Sequence, residues 1–320
     1  MKRRDFIQML AATGMTASLP LTASRAHAAA PDHFLVIVNA GGGWDPTFIC
    51  DPKGYSSEDD PAPINTYHAD EIVEVGPFLV PPVEGMVDFY TTFQNDLLVL
   101  NGIDITSNGH ETGTRATWSG DTGANRPSFS ALVAATREAV PSLAFLSNGG
   151  YDATGGYIPV TRLPDPDTIL ELAFPNRRDV RDGYEDTYFL HADIDAKITA
   201  ARKARIARLQ ETAHLPRVLD SMQVLEAVRS DDAELKSLVD VLPTDLQDND
   251  LERQIQVALA CFSAGVSVTA NVSIGGFDTH DQQIESANDI NGTHNKLLTQ
   301  VSTAITAFMK DLRQQALDDD

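Results

Sequence analysis

Two stretches of the chain place acidic or imidazole side chains directly after an apolar run and a group of glycines. The first reads Gly41-Gly-Gly-Trp-Asp45 and follows the apolar run 34–38. The second reads Gly275-Gly-Phe-Asp-Thr-His280 and follows the β-rich run 266–274. Carboxylate and imidazole groups bind divalent metals, and they also act as general acids and bases. Asp45, Asp278 and His280 are therefore candidate metal ligands.

Each motif also has a purely structural interpretation, in which the glycines make a turn and the aspartate caps the next element. The pair of motifs is more informative than either one. Both apolar runs are typical of strands buried in a parallel sheet, and the carboxyl ends of such strands lie at one edge, where ligands bind. We therefore expect the two motifs to converge at that edge.

A third polar stretch, residues 103–120, follows another apolar run at 96–102. We interpret that run as a second buried strand, preceded by a helix at 83–95. The polar stretch suits metal or anion binding, although a solvated loop is the alternative. Its candidate residues are His110, Glu111, Thr112, Thr114 and Arg115.

The order of strand, helix and strand indicates an α/β fold with a mostly parallel sheet. Residues 46–82 are rich in Pro, Asp, Ser and Gly, which predicts a long irregular connection. Ser128 is a plausible cap for a helix at 129–139. Helical periodicity returns at 192–240, at 251–264 and at 293–317. His294, near the start of the last helix, could approach the site or face solvent, and of the two we expect it to face solvent.

The first 28 residues have the features of an export signal. Arg3 and Arg4 precede a short apolar run, and Ala26-His-Ala28 offers a small-x-small cleavage site. This pattern predicts twin-arginine export and a periplasmic or extracellular mature protein. No later segment approaches the length of a membrane span.

The net charge of −22 opposes binding to nucleic acid. The chain has two cysteines, Cys50 and Cys261, so it is not a disulfide scaffold. We expect two separately buried thiols.

With these residues considered, the chain resembles the exported bacterial family called domain of unknown function 1501, within the alkaline phosphatase-like and sulfatase-like superfamily. The resemblance covers most of the chain after the signal and is most specific at the second glycine motif. The residues that carry it are the arginine pair, Val36 to Asp45, Leu98-Val-Leu-Asn-Gly102 with the His110 stretch, Arg126-Pro-Ser-Phe-Ser130, and Gln254 to His280.

The resemblance implies a three-layer α/β/α fold and a metal-assisted site for phosphate or sulfate esters. Asp45 matches a first-strand aspartate, and Asp278 and His280 match a later Asp/His pair. His110 becomes a further ligand. Family members often carry serine where this chain has Gly109, so Thr112 and Thr114 are the substitute nucleophiles. The implied cofactor is a divalent ion: zinc, manganese, calcium or magnesium.

We divide the chain into an export signal at 1–28, two parts of the sheet domain at 29–140 and 251–320, and an insertion at 141–250 that is helical in its second half. In an alternating pattern of strands and helices, the last helix should be followed by another strand. We therefore expect the chain to be the amino-terminal portion of a longer protein. Two functions remain open. One is a metal-dependent hydrolase of small or polymeric anionic esters, and the other is a non-catalytic binding protein on the same scaffold.

Overall fold

The central strand of the sheet is β5, Thr269–Ile274. In the computed structural model of the chain, β5 pairs in parallel with β1, Leu35–Ala40, on one side and with β4, Phe145–Ser147, on the other. The structure describes residues 33–57, 67–137, 140–162, 170–179 without 172, 187–212, 247–279 and 292–314, and isolated positions between 215 and 243. Helices around a small parallel sheet confirm the predicted α/β class.

The two predicted glycine-motif strands are neighbours in this sheet. β1 and β5 pair along their whole length, from Leu35 opposite Thr269 to Ala40 opposite Ile274. Their β-branched residues suit a pleated, packed surface, and both strands stop where the glycines begin. The equal lengths bring the two carboxyl ends to the same level of the sheet.

Six α-helices accompany the strands in the described part of the chain. Two of them begin at a side-chain cap: Ser128 accepts a hydrogen bond from the Ala131 amide, and Asn249 accepts one from the Leu251 amide. The helices are α1 Met86–Phe93, α2 His110–Ser119, α3 Phe129–Ala135, α4 Ala192–Thr212, α5 Asp250–Ser263 and α6 Thr293–Gln314.

Alternate residues of β5 serve different parts of the core. Ala270 and Val272 belong to apolar clusters that also contain α5 residues. Between them, Asn271 accepts a hydrogen bond of 2.6 Å from the Ser130 hydroxyl of α3. The period of two along the strand thus separates apolar packing from a buried polar contact.

Residues 46–82 are more regular than the composition predicts. They contain the antiparallel hairpin of β2, Val73–Val75, and β3, Phe78–Val80. Gly76 has a φ of +56° at the turn between these strands. The prediction of a long irregular connection was wrong for residues 73–80, because these strands are only three residues long and too short for a clear alternation.

The predicted strand at 96–102 is absent. Residues 97–105 are without helix or strand and make no backbone–backbone hydrogen bond within the described chain. Leu98 and Leu100 are 82% and 68% exposed, whereas Leu97 and Val99 pack on the main core cluster. The run has the alternation of a strand, but among the described residues no neighbouring strand pairs with it.

Three further predictions concern the middle of the chain, the two cysteines and the membrane. The region interpreted as an insertion, 141–250, contributes β4 to the sheet, so its first residues belong to the same core as β5. Cys50 and Cys261 are both free, as expected, but only Cys261 is fully buried, whereas Cys50 is half-buried. No helix among the described residues is long and apolar enough to cross a bilayer.

Candidate functional site at the carboxyl ends of β1 and β5

The two glycine motifs converge, as the sequence predicts. The Gly41 amide donates to the Ile274 carbonyl at 2.8 Å, and the Phe277 amide donates to the Gly41 carbonyl at 3.2 Å. These bonds continue the β1–β5 ladder past the last strand residues. Trp44 packs edge-on against Phe277, with ring centroids 6.4 Å apart. The loops after the two strands therefore form one joined structure.

Gly42 permits the closest approach between these loops. Its φ is +124°, and a Cβ atom at this position would lie 2.3 Å from the Asp278 backbone nitrogen. Only glycine has both the conformational freedom and the small size for this contact. Gly42 thus sets the position of Asp278 relative to the end of β1.

The joined loops bring Asp278 close to a histidine from a third part of the chain. The Nε2 atom of His110 lies 3.4 Å from the Oδ2 atom of Asp278. His110 is the first residue of α2, whose cap, Gly109, has no side chain to satisfy the first amides. The positive end of the helix dipole therefore points toward the His110–Asp278 pair. The side chains are 65% and 48% exposed, so both are accessible to a ligand.

An open cleft of about 880 Å³ extends from this pair along β1. Trp44, Trp118 and Phe129 give it aromatic walls, and one face of α2 gives it polar ones. The α2 face presents His110, Thr114 and Thr117, which follow each other at helical spacing. Thr114 therefore lines the cleft, whereas Thr112 does not. Sequence reasoning did not single out Thr117, although its spacing from Thr114 could have indicated it.

Asp45 has a different role from Asp278 in the described structure. Its Oδ1 atom accepts hydrogen bonds from the Thr47 amide at 2.9 Å and from the Thr47 hydroxyl at 2.7 Å. It thereby caps the short 3-10 helix Pro46–Phe48. Asp45 does not line the cleft. The structural interpretation therefore applies to the first glycine motif, where Asp45 caps an element. The second motif agrees with the ligand-binding interpretation in that Asp278 faces the cleft.

His294 was expected to face solvent, and this expectation was wrong. The side chain is only 2% exposed, and its ring lies against Phe48 and Phe277. Its Nε2 atom accepts a hydrogen bond of 3.0 Å from the Asp45 amide. Burial lowers the pKa of His294 from its ordinary 6.5, although the nearby Asp45 carboxylate acts in the opposite direction. A neutral imidazole is required for the observed acceptor role.

The structure brings together two of the predicted metal ligands, His110 and Asp278. His280 lies outside the described residues. Within the described residues, no group of three or more carboxylate, imidazole or thiol side chains is arranged to hold a metal ion. An imidazole and a carboxylate together still match the ligand preference of zinc or manganese.

Comparison with known proteins gives no relative for the chain. No family model, no curated protein and no solved structure matches it.

Proposed function

We propose that the chain is a metal-dependent hydrolase of phosphate or sulfate esters, with the alkaline phosphatase-like three-layer α/β/α architecture that its sequence resembles. The observation that carries the proposal is the His110–Asp278 pair at the open carboxyl edge of β1 and β5. This edge is where α/β sheets bind ligands. The acidic chain with its arginine-pair signal would act after twin-arginine export, in the periplasm or outside the cell.

In this mechanism His110 and Asp278 would hold a divalent cation, with His280 as the further candidate, whereas Asp45 caps the turn at Thr47 outside the cleft. A cation held there would supply Lewis-acid stabilisation of negative charge on the ester group. The first amides of α2, which Gly109 leaves without a side-chain cap, donate hydrogen bonds to the anionic ester. They thereby hold its central atom beside the α2 face.

The Thr114 hydroxyl is the better placed of the two predicted nucleophiles. It lines the cleft four residues after His110, one helical turn along the same face. It has no hydrogen-bond partner among the described residues. Its oxygen would form a bond to the phosphorus or sulfur while the bond to the alcohol breaks, and the hydroxyl proton would pass to the departing alcohol oxygen. Water would then hydrolyse the ester formed on Thr114. Phe129 and the two tryptophans shield one side of the cleft from water and accept the apolar part of an ester.

Metal content tests this function directly. We expect stoichiometric zinc or manganese in the full-length protein by elemental analysis, and loss of most of it in Asp278→Ala and in His110→Ala. Asp88→Ala is the matched control, because Asp88 is an exposed aspartate on α1 outside the cleft. The metal-loaded protein should hydrolyse p-nitrophenyl phosphate or p-nitrophenyl sulfate. Metal retained in both cleft variants would place the ion elsewhere and contradict the proposed site.

A non-catalytic binding protein on the same scaffold is the second candidate. It is favoured by the lack of a three-ligand group in the described part of the chain and by the glycine at 109 where the resemblance leads us to expect a serine. Absence of metal from the parent protein, together with absence of hydrolysis, would favour this candidate. The cleft would then serve as the binding surface.

A further inference from the structure

One long side of β1 has no neighbour within the described chain. Among the described strands, β1 pairs with β5 only, and β5 separates it from β4. All six β1 residues are half-buried, whereas the three residues of β4 and the first four of β5 are fully buried. We call the unpaired side of β1 the free edge. Proteins normally cover such an edge, because it presents a row of open hydrogen-bonding groups.

The hydrogen bonds of β1 show which groups point toward the free edge. The amides of Leu35 and Gly41 donate to carbonyls on the β5 side. Successive residues of a strand point their backbone groups to opposite sides. The N–H and C=O groups of Val36, Val38 and Ala40 therefore point away from β5. They form three regularly spaced donor and acceptor positions.

Space for another strand lies beside this edge. The cleft of about 880 Å³ is lined by residues 37–40 along β1 and by Ile105 and residues 107–110 across from it. Residues 97–105, which lead into that opposite wall, also lack backbone hydrogen bonds within the described chain. Leu97 and Val99 pack on the same core cluster as Val36 and Val38. β1, whose free edge has no described partner, and residues 97–105, whose backbone makes no hydrogen bond within the described chain, thus pack on the same core cluster.

We propose that the free edge of β1 binds an extended apolar peptide with net positive charge, supplied by another protein chain, as an added parallel or antiparallel strand. An extended peptide is the ligand whose own backbone matches alternating N–H and C=O groups. The net charge of −22 opposes pairing of β1 with a second copy of this chain, and it attracts a basic partner. The peptide would lie in the same cleft as the proposed ester site, but its binding requires no metal at His110 and Asp278.

A defined peptide tests the proposal. The probe is a fluorescent peptide of alternating valine and lysine, six residues long to match the six residues of β1. Two control peptides accompany it: one carries glutamate in place of lysine, and one is N-methylated at every residue so that neither edge of its backbone can donate a hydrogen bond. We expect saturable binding of the first peptide to the full chain by fluorescence anisotropy. We expect little binding of either control.

A proline at the free edge is the matched protein variant. Ala40→Pro removes a donor that points away from β5, leaves the β1–β5 ladder intact and removes no large side chain. It should weaken peptide binding by at least about tenfold, while Ala40→Ser, which keeps the amide, should bind like the parent. Circular dichroism checks that both variants fold.

Three results would overturn the proposal. If the N-methylated peptide bound as tightly as the unmodified one, backbone pairing would not be used. This comparison remains valid even if Ala40→Pro fails to fold. Full binding by a folded Ala40→Pro variant would place the peptide elsewhere. If the parent sedimented as a dimer and the Ala40→Pro variant as a monomer, the free edge would be occupied by a second copy of this chain.

Discussion

The Asp45 amide donates a hydrogen bond of 3.0 Å to the Nε2 atom of His294, across 249 residues of sequence. The bond fixes the segment after Gly43 against the first turn of α6. His294 also contacts Phe277, which precedes Asp278. One buried imidazole therefore contacts both glycine motifs and supports the geometry of the candidate site.

Replacing His294 by phenylalanine should destabilise the protein. The substitution keeps the aromatic packing against Phe48 and Phe277 but leaves the Asp45 amide without its acceptor. We expect a loss of about 1–3 kcal/mol in the free energy of unfolding, measured by urea denaturation. Lys296→Ala, an exposed change on the same helix, is the control and should stay within about 0.5 kcal/mol of the parent. Equal stability of His294→Phe and the parent would show that the bond contributes nothing.

The same histidine predicts a pH dependence of stability. Burial lowers the folded-state pKa of His294 below its ordinary 6.5, so the unfolded chain binds a proton more readily than the folded one. Its contribution is fully present above about pH 6.5 and is lost as the pH falls below that value. Urea denaturation at pH 7.5 and pH 5.5 should show this loss in the parent. The pH dependence should be smaller in His294→Phe, and an unchanged dependence would assign it to other groups.

Gly42 and Gly43 offer a comparison between adjacent residues. Both have positive φ, but a Cβ at Gly42 would meet the Asp278 backbone at 2.3 Å, whereas a Cβ at Gly43 has open space within 4 Å. Gly43→Ala should cost only backbone strain, of order 1–3 kcal/mol. Gly42→Ala should cost more and should also reduce metal binding, because Asp278 must move. Thermal unfolding and elemental analysis measure the two effects, and equal behaviour of the two variants would refute the close approach.

Substitutions at Thr114 and Thr112 distinguish between the two candidate nucleophiles. If the protein hydrolyses esters through Thr114, Thr114→Ala should lower kcat by at least about a thousandfold. Thr114→Ser, which keeps the hydroxyl, should retain measurable turnover. Thr112→Ala is the control and should be nearly neutral, since Thr112 does not line the cleft. The opposite result, with Thr112 essential, would reverse the assignment.

Gln254 stabilises the end of β5 from α5. Its amide nitrogen donates to the Ser273 carbonyl at 3.0 Å, and its amide oxygen accepts from the Ser273 amide at 2.8 Å. Gln254→Met has a similar shape but makes neither bond, so it should cost about 1–3 kcal/mol in urea denaturation. Gln254→Glu keeps the acceptor and should lie between the parent and Gln254→Met. A glutamate variant less stable than the methionine variant would contradict this account.

The convergence of the two glycine motifs was predictable because it follows from local patterns. Apolar β-branched runs specify strands, glycines end them, and parallel strands present their carboxyl ends at one edge. The cap at Ser128 and the helix at Asp250–Ser263 were predictable for the same reason, since capping and helical periodicity are read within one turn.

Other features required the tertiary structure. The 96–102 run has the sequence of a strand, but strand formation needs a partner backbone, and the described chain pairs none with it. His294 has no local feature that reveals its burial, because the contact that buries it comes from residues near the opposite end of the sequence. The sequence by itself determined the two long strands, most of the helices and the meeting of the two motifs. Only the tertiary structure decided that Asp278 faces the cleft while Asp45 caps a turn, since side-chain direction depends on packing between elements distant in the chain.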